Sequence, residues 1–310
     1  MSPEPRTDTT ADYVQRTNRA IDHVLRHLDQ PLRLEDVARV ACFSPFHFHR
    51  VFRALVGEPL RQFVRRVRLE RAVLLLSRGH PQSLTQIALA CGFQSSSDFS
   101  RTFKQRYGVA PSEFDPETFR AERRREWQEV VAGPERRHLL DGLPSGANPD
   151  AFVVTMRRLP ARRVAYLRVV DSFRPGAVMA AAERFVAWAT ARGLADGQWL
   201  GYMWDDPEVT APENCRYDVG LVVPDVAPEG EVCRHDLPSM LVAQVEVRGG
   251  IDLEMRALDW LFKTWLPTSG VVPAEQPLFE AWMGRPFAHG AEHFELHVQI
   301  PVEPIPGVRR

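Results

Sequence analysis

The chain is poor in cysteine. Cys42, Cys91, Cys215 and Cys233 are scattered through 310 residues with no CxxC pair. That excludes a dense disulfide framework and fits a reducing compartment. No stretch approaches eighteen apolar residues, so no helical membrane span is expected, and the opening MSPEPRTDTTADY has no apolar signal core. These absences point to a soluble, cytoplasmic protein with no membrane partner. No clear base–nucleophile pair is present, so no catalytic residue, no enzyme activity and no cofactor are expected. Histidine spacing does not suggest a metal site either. His47 and His49 are two apart, which puts them on opposing sides of a helix, and His289, His293 and His297 run across Gly290 into a strand-like segment.

What is present comes in two unlike halves. A 44% hydrophobic composition at this length can bury two cores. The net charge of −1 conceals an asymmetry. Leu34 to Phe114 carries twelve Lys/Arg against six Asp/Glu, a balance of +6; Ala151 to Ile305 carries fourteen against twenty-one, a balance of −7. A basic module suits a polyanion, and an acidic one suits a neutral or cationic partner. Nearly all the positive charge is arginine, the residue suited to bidentate contacts with phosphate and guanine.

The basic half repeats itself. LEDVARVACF at Leu34 matches LTQIALACGF at Leu84, and Phe48, Arg50, Phe52 and Gly57 return as Phe99, Arg101, Phe103 and Gly108. Each copy reads as a helix, a sharp turn and a second helix. A helix from Asp12 to about Asp29 precedes them. PLRQFVRRVRLERAVLLLSRG reads as one long connecting helix with a stripe of Val64, Val67, Leu69, Val73, Leu74 and Leu76. Ser44 before Pro45 is an N-cap signal, and Ser95 with Asp98 a capping box. Phe48 with Phe52, and Phe99 with Phe103, face the core by their spacing. That turns Phe46, His49, Arg50 and Arg53 outward on the first helix and Ser96, Ser97 and Arg101 outward on the second. Such faces can lie in a major groove, where Arg reads guanine and Ser contacts base edges or phosphates. Two of them on one chain can enter successive grooves.

IALACGFQSSSDFSRTFKQRYGVAPSEF, with its A-x-x-x-GF, F-x-R-x-FK and G-x-x-P elements, resembles the AraC/XylS-type DNA-binding domain, and the resemblance extends over residues 12–118. It implies that Pro45 to Ala54 and Ser96 to Gln105 are base-reading helices. It also implies double-stranded DNA as a partner and RNA polymerase as a further one. One departure is Cys42, which stands where the second unit has Gly92 and where a left-handed backbone is expected.

Residues 1–11 read as a polar tail, and 119–150 as a polar helix followed by a Gly/Pro/Ser/Asn-rich linker from about Val131. The acidic half, 151–305, also repeats. RLPARRVAYLRV at Arg158 matches DLPSMLVAQVEV at Asp236, and YDVGLVVP matches FELHVQIP. Helical patterns lie between these markers at Val178 to Ala191 and Leu253 to Leu266. The expected fold is multidomain: an N-terminal all-α double helix-turn-helix domain, then an α+β domain of two β-α-β-β units. Aromatic residues gather in the second domain, and Glu280 stands between Phe279 and Trp282. A carboxylate on a central strand is costly unless paired, by hydrogen bonds or by a cationic ligand under aromatic rings.

YMWDDPEVTAPENCRYDVGLVV, WLPTSGVVPAEQPLFEAW and HFELHVQIPV resemble the GyrI-like effector-binding domain over about residues 152–303. The resemblance implies a pocket between the two halves, with Glu280 as its buried acid and Tyr202, Trp204, Phe279 and Trp282 around it. Trp204 and Trp282 stand where that family often has tyrosines. The implied effector is a lipophilic, cationic small molecule, and the implied function is sequence-specific, ligand-responsive transcription regulation. Two alternatives stay open: a GyrI-like hydrolase using Glu280, and a protein-interaction module related to gyrase inhibitors.

Overall fold

The computed structural model describes residues 9–77, 82–136, 140–225, 227–274 and 276–305. The chain divides near Arg124 into two compact units.

The first unit is helical. Helix α1 (Thr9–Arg26) precedes α2 (Leu34–Val40) and α3 (Pro45–Val56). Helix α4 (Leu60–Ser77) leads to α5 (Leu84–Ala90) and α6 (Ser96–Tyr107), and α7 (Pro116–Arg136) follows. Helix α1 starts three residues earlier and ends three earlier than its apolar pattern suggests. Helix α4 joins two separate cores. Leu60, Phe63 and Val67 pack with Phe48 and Phe52, whereas Leu69, Ala72 and Val73 pack with Phe99 and Phe103. Within the stripe read from sequence, Val67, Leu69 and Val73 are buried, and Val64, Leu74 and Leu76 are half-buried.

Local chemistry sets the helix ends. Ser44 Oγ accepts from the His47 N–H at 3.3 Å, and Ser95 Oγ accepts from the Asp98 N–H at 3.1 Å. The reciprocal bond of a capping box is not made at Ser95, because the Asp98 carboxylate turns to Arg101 Nη2 at 2.8 Å. The full box forms one helix earlier, between Ser83 and Gln86. The two sharp turns differ in a physical way. Cys42 adopts the left-handed backbone at φ 55° and Gly92 at φ 81°. At Gly92, Arg68 crosses the turn to donate to the carbonyls of Leu28 (3.0 Å) and Gln30 (2.7 Å). A Cβ there would collide with the Leu28 carbonyl and the Arg68 guanidinium.

The second unit is built on a nine-stranded antiparallel sheet. Its strands are β1 (Thr155–Leu159), β2 (Arg162–Val170), β3 (Trp199–Met203), β4 (Arg216–Val223), β5 (Cys233–Leu237), β6 (Met240–Gly249), β7 (Val271–Pro273), β8 (Phe279–Trp282) and β9 (Phe294–Pro304). Helix α8 (Ala177–Thr190) follows β2, and α9 (Ile251–Trp260) follows β6 and runs on through a π-helical turn, Leu261–Trp265. The first half therefore carries one strand more than a β-α-β-β unit and the second carries two: Pro160 and Pro238 each break an apparently continuous run in two, and the short β7 adds a further strand to the second half. The strand order is β1-β6-β9-β8-β3-β4-β2-β5, with β7 on β9. The halves exchange their first strands: β1 pairs with β6, and β5 pairs with β2. Only two residues join β1 to β2 and two join β5 to β6, so each connection spans at most about 11 Å. The sheet must curl until its ends approach. Its outer face packs against α8 and α9, and its inner face closes on Leu159, Val164, Leu200, Tyr202, Val242 and Phe279.

Residues 140–150 are held to the end of α9. The Leu143 N–H donates to Asp259 Oδ2 at 3.1 Å and the Gly146 N–H to Thr264 Oγ1 at 2.9 Å, and Arg256 grips Asp150 at 2.8 and 3.1 Å. Helix α7 continues to Arg136, past the expected start of a linker at Val131.

Candidate functional sites

On α3, Phe46, His49, Arg50 and Arg53 share one exposed face, at i, i+3, i+4 and i+7 spacing. Phe46 is 76% exposed, and the Arg50 guanidinium lies 6.0 Å from its ring centre. A phenylalanine left in water at the start of a helix gains nothing by packing within its own unit. On α6, Ser97 and Arg101 are exposed on the equivalent face and Ser96 is half-buried. Arg101 is held by Asp98 yet keeps 80% of its side chain in solvent. The offset of 51 residues that relates Phe48 to Phe99 also relates Arg53 to Lys104. Lys104 is exposed, and sequence reading missed it, although the same offset would have found it.

The acidic centre lies on the outer face of the sheet, beneath α9. Glu280 pairs with Gly201 across β3 and β8. Tyr217 Oη donates to Glu280 Oε2 at 2.5 Å. Gly201 is required here: a Cβ would overlap the Tyr217 hydroxyl and stand 2.5 Å from the Glu280 carboxylate. From above, α9 contributes Glu254, 2% exposed. Burial, then the charge of Glu280, push the Glu254 carboxyl well above the usual range, and the two carboxyl groups are hydrogen-bonded to each other. Burial also raises Glu280, and the bonds from Tyr217 and Glu254 oppose that rise. Burial and the nearby carboxylate raise the Tyr217 hydroxyl well above the ordinary tyrosine range. The result is a buried pair of carboxyl groups joined by a hydrogen bond, with Tyr217 as a second donor to Glu280. Trp282 lies on the same face, with its indole N–H near the carboxylate but outside hydrogen-bond geometry. Sequence reading passed over Glu254 and Tyr217, because nothing local ties a helix glutamate to a strand glutamate twenty-six positions on.

The grouping expected from sequence divides across the sheet. Glu280 and Trp282 face α9, whereas Tyr202, Phe279 and Trp204 belong to the inner face. The reason is the two-residue pleat, which sends Phe279 and Glu280 to opposite sides. Trp204 donates through Nε1 to Asp218 Oδ2 at 2.6 Å. Arg168 binds both oxygens of Asp218, at 2.8 and 2.7 Å. Burial alone would raise Asp218, but Arg168 and the neighbouring donors bring it down to about 2. Among the described residues no group of three or more His, Cys, Asp or Glu could hold a metal ion. None of their helices is long and apolar enough to cross a membrane.

Comparison with known proteins follows the same division. Residues 37–116 match the model of a helix-turn-helix domain, and residues 153–303 match that of the GyrI-like small molecule binding domain. The uncharacterized HTH-type transcriptional regulator YbfP of Bacillus subtilis (strain 168) is 35% identical over 103 residues, 33% of this chain and 34% of that protein. The right origin-binding protein of Escherichia coli (strain K12) is 35% identical over 86 residues, 28% of this chain and 29% of its own. The chain thus spans about a third of the length of these curated relatives. Among solved structures, the DNA-binding domain of AdpA, the global transcriptional factor, in complex with a target DNA is 28% identical, covers 35% of this chain and 96% of its own, and has a TM-score of 0.32. The EcmrR C-terminal domain is 15% identical, covers 50% of this chain and 99% of its own, and has a TM-score of 0.39. The chain carries an AraC-type helix-turn-helix domain followed by a GyrI-like small molecule binding domain.

Proposed function

We propose that the chain is a sequence-specific DNA-binding transcriptional regulator whose second unit binds a lipophilic, cationic small molecule at Glu280. The observation that carries the effector reading is the state of Glu280. It is buried beside an indole and a phenol, and what faces it are the Tyr217 hydroxyl and the Glu254 carboxyl, with no cationic side chain among the groups acting on it. A lipophilic cation would take that place and stack on Trp282 and Tyr217. To reach Glu280 it must displace α9, which covers the site through Glu254. The π-helical turn after α9 interrupts regular helical bonding, a feature common at functional sites. Helix α9 and that turn also anchor residues 143–150, which lead back along the chain to α7. Ligand binding thereby changes how the connecting segment is held, and DNA affinity responds if the ligand prefers one arrangement. In the DNA-binding half, Phe46, His49, Arg50 and Arg53 of α3 and Ser96, Ser97 and Arg101 of α6 meet the DNA. We place the protein in the cytoplasm, with RNA polymerase as a further partner.

The test uses the full chain, with a target DNA obtained by selection from random duplexes. Tetraphenylphosphonium and a neutral isostere are titrated while melting temperature and DNA binding are followed, in wild type and Glu280→Gln. A shift with the cation alone, lost in the variant, supports the reading. No shift with the cation overturns the effector half of it.

A second reading rests on the same carboxyl pair. Glu254 and Glu280 are two buried, hydrogen-bonded carboxyls, and a pair in which one holds a proton while the other gives it up is the acid and base that a hydrolase needs. Mass analysis of an incubated ligand separates the two readings, because a sensor returns its ligand unchanged.

A further inference from the structure

The inner face of the curled sheet carries polar groups that the Glu280 site does not use. Arg162 opens β2 and projects inward with Val164 and Tyr166, and its guanidinium carbon lies 5.0 Å from the centre of the Phe279 ring. Tyr202 pairs with Phe279 from β3, with ring centres 5.2 Å apart, and Gln299 pairs with Phe279 from β9. Phe279 is thus surrounded by three polar side chains. Arg162 Nε and Nη2, the Tyr202 hydroxyl and Gln299 Oε1 are all buried, and none has a hydrogen-bond partner among the described residues. Tyr202 and Gln299 are each 2% exposed. The Gln299 amide nitrogen is occupied by Gln244 at 2.8 Å, which leaves only its oxygen open.

Buried polar groups are ordinarily hydrogen-bonded, and buried arginines ordinarily paired. Burial lowers Arg162, and the groups that act on its charge are the Tyr202 hydroxyl and Arg157, with no carboxylate among them. Arg157 stands two residues before Leu159 on β1, on the same side of the strand, and is exposed. An exposed arginine therefore stands near the half-buried one that lies over Phe279.

The unused donors have a definite shape. Nε and Nη2 form the edge of a guanidinium that grips both oxygens of a carboxylate. The Tyr202 hydroxyl is a third donor to the same place. Leu159, Met240, Val242 and Phe279 supply an apolar surround, which suits a carboxylate with a hydrocarbon body and not phosphate or sulfate. Gln299 Oε1 can accept from a hydroxyl carried on that body.

We propose that this inner face is a second small-molecule site, taking an apolar monocarboxylate whose oxygens meet Arg162 Nε, Nη2 and the Tyr202 hydroxyl while its body packs on Phe279. The sheet separates it from Glu280, and the two sites call for ligands of opposite charge. The proposal stands whether or not a cation binds at Glu280.

Calorimetric titration of the full chain with benzoate and 4-hydroxybenzoate tests it, against benzyl alcohol and in Arg162→Met and Tyr202→Phe. Saturable binding is expected for both carboxylates and not for the alcohol, weakened at least about tenfold in each variant. Without ligand, both variants should melt at or above the wild-type temperature, because each removes a buried group that lacks a partner. Three results overturn the proposal: no saturable carboxylate binding at millimolar concentration, binding unchanged in both variants, or a sharp loss of ligand-free stability in both, which would make these groups structural.

Discussion

Gly201 and Glu280 face each other across β3 and β8, and the missing side chain of the one makes room for the carboxylate of the other and for the Tyr217 hydroxyl. Gly201→Ala should therefore cost about 1–3 kcal/mol by overpacking. Chemical denaturation measures that loss, and cation binding should fall with it. A variant as stable as wild type would mean the centre is looser than this pairing requires.

The carboxyl pair sets a pH dependence. Glu254 and Glu280 are both raised, by burial first, whereas in the unfolded chain glutamate titrates near about 4.3. Their contribution to stability is fully present below that value and is lost as pH rises through the folded-state titration. Glu254→Gln keeps a donor to Glu280 and removes the ionisable group, so its denaturation midpoint should fall less than that of wild type as pH rises above about 4.3. Affinity for a cation at Glu280 should rise over the same range as the carboxyl pair loses its protons.

Asp218 shows the opposite sign. Held at about 2 in the folded protein, its contribution is present above the unfolded value near about 3.9 and is lost as pH falls through about 2. Asp218→Ala removes both carboxylate oxygens that buried Arg168 binds and should cost about 3–5 kcal/mol. Urea denaturation of the variant at neutral pH checks this.

On DNA, Arg50→Ala and Arg101→Ala should each cost about 1–3 kcal/mol of discrimination between the selected site and random duplex if they read bases. Lys104→Ala should weaken binding to every sequence alike and reduce the salt slope by about one. Equal weakening on both DNAs by the arginine variants would make them phosphate contacts instead.

The two turns should respond differently to substitution. Gly92→Ala meets both the left-handed backbone and the Leu28 carbonyl, and should cost more than the 1–2 kcal/mol of the backbone term alone. Cys42→Gly relieves the strain at φ 55° and should be neutral or stabilising by up to about 1 kcal/mol. Thermal unfolding of both variants decides it.

Much of this was legible in the residues. Repeated spacing of Phe48 with Phe52 and of Phe99 with Phe103 determined two equivalent helices, because a 3.6-residue period fixes which face is buried. Ser44 and Ser95 marked where those helices begin, because an N-cap bond is local. The paired segments around Leu159–Pro160 and Leu237–Pro238 marked two equivalent halves, and Glu280 stood out as a carboxylate in an apolar strand. Tertiary structure alone decided the rest. The exchange of β1 and β5 between halves is a long-range pairing with no local signature, and it is what curls the sheet and gives it an inside. Once the sheet has two faces, Phe279 and Glu280 part company despite being neighbours in the chain. Glu254 and Tyr217 come to one of them, and Arg162 and Tyr202 to the other. Which side chains share a site is set by which face they point to and which distant strand or helix closes over it, and the order of residues along one segment does not encode that.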